Sequence, residues 1–74
     1  MSLGQQIKCA REKKKWSQED LADQLGISRQ SVSKWENGES MPSTDTLLSI
    51  ATVFGVNLDF FLKRDVKEKK EKIK

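Results

Sequence analysis

The chain has 74 residues, of which 35% are hydrophobic, so it can bury one small core but not a second one. A single cysteine excludes a disulfide framework within the chain, and no apolar run is long enough to predict a membrane span. No signal peptide is apparent, so we expect a soluble, cytoplasmic protein.

The net charge of +3 is unevenly distributed along the chain. Residues 63–74 contain seven basic and three acidic residues, whereas the first 62 residues contain seven basic and eight acidic ones. We therefore predict a folded domain over residues 1–63 and a basic, charged tail over residues 64–74. Because the folded part is not strongly basic, any argument for nucleic-acid binding must depend on where its cations lie.

The first predicted helix runs from about Leu3 to Lys15, and Ser2 and Gln5 before and within it have the spacing of a capping box. Its inward face is predicted to hold the residues that recur at helical spacing: Leu3, Ile7, Ala10 and Lys14. Arg11 lies at the edge of this face, where a fully solvated cation is not expected. Cys9 is predicted to point outward.

Two short helices joined by a tight turn follow at the centre of the sequence. Helix 2 begins after Ser17 and ends at Gly26, a residue suited to a left-handed turn. Helix 3 is predicted over Arg29 to Asn37, with Ser28 as its cap. Ala22 provides the small residue that two steeply crossing helices need at their contact. The pattern predicts a helix-turn-helix, which places its second helix in the DNA major groove.

Helix 3 separates its side chains into two faces. At about 100° per residue, Val32 and Trp35 lie on one side and Glu36 lies at the boundary. The opposite face is polar and carries no carboxylate; its members are Arg29, Ser33, Asn37, Gln30 and Lys34. This is the composition expected of a surface that meets DNA, although an ordinary solvated helix face would have similar spacing.

Two further helices complete the prediction, at about Thr44 to Phe54 and about Leu58 to Lys63. The inward face of the fourth helix explains most of its apolar residues but not Val53, and Phe60 is similarly unexplained in the fifth. Five helices with short connections and no strand signal predict an all-α, compact five-helix bundle.

The stretches SQEDLADQLGISRQSVSKWENG and PSTDTLLSIATVFGVNLDFFL resemble the lambda-repressor-like family, also called the XRE family, of phage repressors and Cro proteins. The resemblance covers about residues 3–62. It implies sequence-specific binding to duplex DNA by a homodimer, and a transcriptional regulator that acts as a repressor. The residues that match DNA-contacting positions of the family are Gln18, Arg29, Gln30, Ser33, Lys34 and Asn37. Ser28 is assigned first to the helix cap and kept as a candidate contact.

The same resemblance implies two structural contacts. Arg11 and Glu36 match positions that form a buried ion pair in some relatives, so we expect them to connect helix 1 to the end of helix 3; the alternative is two unrelated surface charges. The family dimerises near the connection of helices 4 and 5, so Val53, Leu58 and Phe60 are candidates for a dimer interface. The alternative there is that the small core covers all three.

Other functions remain open at this point. The same fold could serve as a protein-interaction module, such as an antitoxin or adaptor, or as a DNA-coating protein that depends on the lysine-rich tail. Catalysis is not expected, because the chain has no histidine and no paired base and nucleophile. We expect no metal, no cofactor and no membrane contact, and the sequence makes no small-molecule ligand evident.

Overall fold

The structure is a computed structural model that describes residues 2–61. It contains helices α1 (Leu3–Lys13), α2 (Gln18–Leu25), α3 (Arg29–Asn37) and α4 (Thr44–Phe54). A fifth helix, α5, begins at Asp59 and reaches the last described residue, Phe61. The all-α, five-helix fold with its helix-turn-helix at α2 and α3 is confirmed. The predicted end of helix 5 and the tail at 64–74 lie outside the described residues.

None of the helices in residues 2–61 has the length and apolarity needed to cross a bilayer. The longest, α1 and α4, have 11 residues each.

Serine caps fix where three of the helices begin. The Ser2 hydroxyl accepts from the Gln5 backbone N–H at 3.2 Å, and the Gln5 side chain accepts in return from Ser2 N–H at 3.0 Å. Ser17 and Asp20 form the same reciprocal pair at the start of α2, and the Ser43 hydroxyl accepts a first-turn amide of α4. These bonds satisfy backbone donors that have no partner inside the helix, so the chain enters each helix at a defined residue.

Helix α1 ends at Lys13, two residues earlier than predicted. Lys15 adopts a left-handed conformation with φ of 62°, and this conformation lets Trp16 N–H reach back to the carbonyl of Arg11 at 3.1 Å. Helices α2, α3 and α4 end in the same way, but each of them has glycine at the left-handed position. The missing glycine signal explains why the sequence pattern extended the helix too far.

The core is formed by all the helices together and is continuous across them. Its fully buried large side chains are Phe61, Ile7, Leu21, Ile50 and Val32. On α1 the buried face includes Gly4 and Arg11, while Ala10 is half-buried and Lys14 is exposed, because Lys14 lies beyond the end of the helix. Cys9 does not point outward as predicted; it is half-buried.

Helices α1 and α3 approach each other so closely at Gly4 that no side chain fits between them. A Cβ atom at Gly4 would overlap the carbonyl oxygen of Trp35 and lie 3.2 Å from the Cα of Glu36. Both neighbours are backbone atoms, which cannot move aside as a flexible side chain would. The absence of a side chain at residue 4 therefore allows α1 to pack directly against the backbone of α3.

Replacing Lys15 with glycine should stabilise the fold by about 0.5–1 kcal/mol, because a left-handed backbone costs residues other than glycine about 1–2 kcal/mol and glycine adds some unfolded-chain entropy. For a domain of this size, we expect the melting temperature to rise by several degrees. Lys15→Ala keeps the strained backbone and removes the same charge, so it should melt close to the parent protein. A glycine variant that melts no higher than the alanine variant would show that residue 15 is unstrained.

Candidate nucleic-acid interface

Helix α3 presents its polar face to solvent and its apolar face to the core. Val32 is fully buried and Trp35 retains only 7% exposure. On the other side, the fully exposed candidates are Arg29, Gln30, Lys34 and Asn37, and Ser33 is half-buried. The side-chain amide of Asn37 lies 3.5 Å from the hydroxyl of Ser33, which is a weak contact along this face. The structure thus brings five of the predicted DNA contacts onto one surface.

Ser28 occupies the N-cap position of α3 but does not use its side chain as a cap. Its hydroxyl oxygen lies 3.3 Å from the hydroxyl oxygen of Ser31 instead. The prediction of a serine cap is therefore right about the position and wrong about the bond. A hydroxyl three residues later does not by itself prevent capping, because the Ser43 hydroxyl bonds to that of Thr46 at 3.0 Å and still accepts the Thr46 amide.

Glu36, the only carboxylate of α3, is turned away from the polar face and held by Arg11. Arg11 Nε donates to Glu36 Oε2 at 2.8 Å, and a second guanidinium nitrogen donates to Oε1 at 3.1 Å. The two side chains are only 11% and 3% exposed. The ion pair expected from the sequence is therefore present, in the two-bonded geometry that suits arginine and carboxylate.

Two further bonds connect this ion pair to the start of α2. Gln18 donates its side-chain amide to Glu36 Oε1 at 3.0 Å, and Arg11 donates to the carbonyl of Trp16 at 2.7 Å. One buried carboxylate thus ties together α1, the α1–α2 connection, the first residue of α2 and the end of α3. The hydrogen bond that Arg11 donates to Glu36 raises the pKa of Arg11 above its ordinary value despite partial burial, so the guanidinium stays charged.

The candidate dimer residues lie on successive parts of the chain, with Val53 near the end of α4, Leu58 in the connection that follows and Phe60 on α5. Val53 and Leu58 are half-buried and pack against the core, whereas Phe60 is 43% exposed. The core therefore already covers part of the surface of Val53 and Leu58. Two exposed apolar side chains were not singled out in the sequence, namely Leu48 on α4 and Met41 in the loop before it.

Gly4 is the important residue that sequence reasoning missed. It was available as a signal, since glycine inside a helix is unfavourable by about 0.5–1 kcal/mol relative to alanine and often marks a close approach. Which element approaches it is a tertiary fact that the local pattern does not contain.

Comparison with known proteins gives the same family as the structure. The sequence model of a helix-turn-helix family matches residues 7–61. The transcriptional regulator ImmR of Bacillus subtilis is 37% identical over 70 residues, which are 95% of this chain and 55% of ImmR. The chain thus corresponds to a little over half the length of that relative.

Solved structures of two related regulators superpose closely on this one. The P22 c2 repressor in complex with a synthetic operator has a TM-score of 0.77 at 28% identity, covering 82% of this chain and 92% of that one. SinR in complex with DNA, from Bacillus subtilis, has a TM-score of 0.75 at 30% identity, covering 81% and 97%. With the family match spanning most of its length, this chain belongs to the lambda-repressor-like, or XRE, family of helix-turn-helix proteins.

Proposed function

We propose that this protein is a sequence-specific regulator of transcription that inserts α3 into the major groove of duplex DNA. The observation that carries this proposal is the separation of charge on α3. Its two cations, Arg29 and Lys34, are on the exposed face, and its one carboxylate is held inward by Arg11. A surface that approaches phosphates and base edges gains from such a distribution, because an exposed carboxylate there would be repelled.

The exposed side chains of α3 have the donors and acceptors that base edges require. Gln30 can bond N6 and N7 of adenine together, and Arg29 can do the same with O6 and N7 of guanine. Lys34 suits a guanine edge or a phosphate, and Ser33 suits either kind of base. We propose that these four residues read the operator sequence.

Three other residues are proposed to position the protein on the DNA backbone. Gln18 donates one of its two side-chain amide hydrogens to Glu36, and the second is available to a phosphate oxygen. Ser28, at the start of α3, has a hydroxyl that is not engaged in capping. Asn37 is exposed at the other end of the helix. Contacts of this kind fix register and orientation without reading sequence.

Gln30→Ala and Lys34→Ala should each weaken operator binding by about 1–3 kcal/mol, or roughly 5- to 150-fold. The operator is first obtained by selecting bound duplexes from a random pool, and affinity is then measured by fluorescence anisotropy against operator and random duplex. Gln24→Ala on α2 and Lys8→Ala on α1 remove the same side-chain types from other exposed positions and should leave affinity nearly unchanged.

A pool that yields no shared motif would contradict sequence-specific recognition. Equal binding by the α3 variants and their controls would contradict the role of α3. We favour this function over a protein-interaction module, since relatives solved with DNA share the fold across most of the chain. We further propose that the protein acts by binding rather than by catalysis, and that it represses wherever its operator overlaps a promoter.

We also propose that two copies bind a pseudo-palindromic operator through a homodimer that buries Phe60. Phe60 is 43% exposed on α5, and Leu58 two residues before it is half-buried, so this segment offers apolar surface suited to such a contact, with half-buried Val53 on α4 as a further candidate. The half-sites would then lie about one helical turn, or about 34 Å, apart.

Phe60→Ser should therefore weaken self-association and lower operator affinity, whereas Met41→Ser, at an apolar side chain that is 67% exposed elsewhere, should change neither. Analytical ultracentrifugation with and without operator measures both effects. A monomer in both conditions for the parent protein, or equal loss in both variants, would reject this interface.

A further inference from the structure

A cleft of about 530 Å³ lies between α1 and the connection from α4 to α5, away from the polar face of α3. Its apolar walls are formed by Ala10, Phe54, Val56 and Phe60. Concave sites of about 300–1,000 Å³ with mostly apolar linings are typical of small-molecule binding sites. The cleft is therefore large enough for a ligand, and no part of the proposed DNA contact uses it.

A hydrogen bond across the cleft floor keeps its two sides in place. Gln6 on α1 donates its side-chain amide to the backbone carbonyl of Phe60 at 3.3 Å. Phe54 is held as well, because its ring packs on Trp16 with a centroid separation of 5.8 Å. The Phe60 ring packs edge-on against Phe61 with a centroid separation of 5.1 Å, so both aromatic walls have packing partners before any ligand arrives, which lowers the entropic cost of binding.

The charged side chains that line the cleft are both cations. Lys13 and Lys14 line it from the end of α1, and no carboxylate belongs to the lining contributed by residues 2–61. Neither lysine has an ion-pair partner within those residues. Lys14 lies over the Trp16 ring, with its ammonium nitrogen 5.4 Å from the ring centroid. An occupant with an apolar body and a negative group at one end matches this arrangement.

We propose that this cleft binds an amphipathic carboxylate, with its aliphatic body between Phe54 and Phe60 and its carboxylate at Lys13 and Lys14. A free fatty acid and the C-terminal carboxylate of an apolar peptide present the same chemistry. None of the residues proposed to contact DNA lines the cleft, so the ligand is expected to bind the protein without DNA. Phe60 also belongs to the proposed dimer contact, so bound ligand should oppose self-association.

The experiment titrates the protein with decanoate below its micelle concentration and follows tryptophan fluorescence and binding heat. Trp16 reports on the cleft because it contacts both Phe54 and Lys14. We expect saturable binding at one site, and Trp16→Phe should remove the fluorescence change but keep the heat. Lys13→Gln combined with Lys14→Gln should weaken binding at least about tenfold. Lys8→Gln, on an exposed part of the same helix, should not.

Three further arms make the outcome decisive. Decanol has the same chain without the charge, and binding as tight as that of decanoate would overturn the role of the lysines. An apolar peptide with a free C-terminus, compared with its amide, identifies a peptide as the source if only the free acid binds. Ala10→Leu places a larger side chain in the cleft and should abolish binding.

Absence of saturable binding by both decanoate and the free peptide would overturn the proposal.

Discussion

Replacing Gly4 with alanine is expected to destabilise the protein by about 3 kcal/mol, although the same change at an ordinary helix position stabilises by about 0.5–1 kcal/mol. The sign reverses because the new methyl group would overlap the carbonyl oxygen of Trp35 and press on the Cα of Glu36. Relief requires α1 and α3 to move apart, which loosens the core contacts that both helices share. Urea denaturation monitored by circular dichroism measures the difference.

Gly38→Ala is the matched control for this change. A Cβ atom at Gly38 would meet nothing within 4 Å, but the residue has a left-handed backbone with φ of 80°. Its replacement should therefore cost only the backbone term of about 1–2 kcal/mol. If Gly4→Ala proves as stable as the parent protein, the close approach of α1 and α3 is wrong.

A surviving Gly4→Ala protein provides a second, functional readout. Helix α1 packs against α3 on the side opposite the polar face, so a shift between the two helices changes the angle at which the polar face meets DNA. We expect operator affinity to fall in the folded variant, whereas folded Gly38→Ala should bind more nearly like the parent protein.

Local signals were sufficient to predict most of the fold. Serine caps predicted where α2 and α4 begin, and glycines predicted where α2, α3 and α4 end, because these signals act through backbone groups only a few residues away. The same logic failed at the end of α1, where Lys15 takes the left-handed position that glycine holds elsewhere. A strained backbone conformation is maintained by its surroundings, so the residue type at that position does not predict it.

The candidate site divides in the same way. The polar face of α3 follows from helical periodicity alone, and the structure places those residues on one exposed surface. The contact at Gly4 and the cleft beside Cys9 depend on which helices meet, and periodicity says nothing about that. The pairing of Arg11 with Glu36 lies between these cases. Helical periodicity placed each residue at the edge of an inward face, but only the family resemblance indicated that the two side chains pair.

Arg11→Met should destabilise the fold by about 3–5 kcal/mol, the usual cost of removing one partner of a buried ion pair. Methionine fills the space of the aliphatic stem, so the loss falls mainly on Glu36, whose side chain is only 3% exposed. That carboxylate would keep a single side-chain bond, the one from Gln18 at 3.0 Å. Lys13→Met removes a cation from the same helix at an exposed position and should change stability by less than about 0.5 kcal/mol.

The double variant Arg11→Met, Glu36→Leu separates the value of the pair from the penalty of an unpaired buried charge. Replacing both partners by apolar groups leaves nothing charged to desolvate, so most of the lost stability should return. Because the pKa of Arg11 is raised, its contribution is fully present below its ordinary pKa and is lost only as the pH rises through the still higher folded value. Titration of Arg11 should therefore leave the melting temperature of the parent protein unchanged between about pH 6 and 9. If the single and double variants are equally unstable, the guanidinium acts through packing against the core rather than through Glu36.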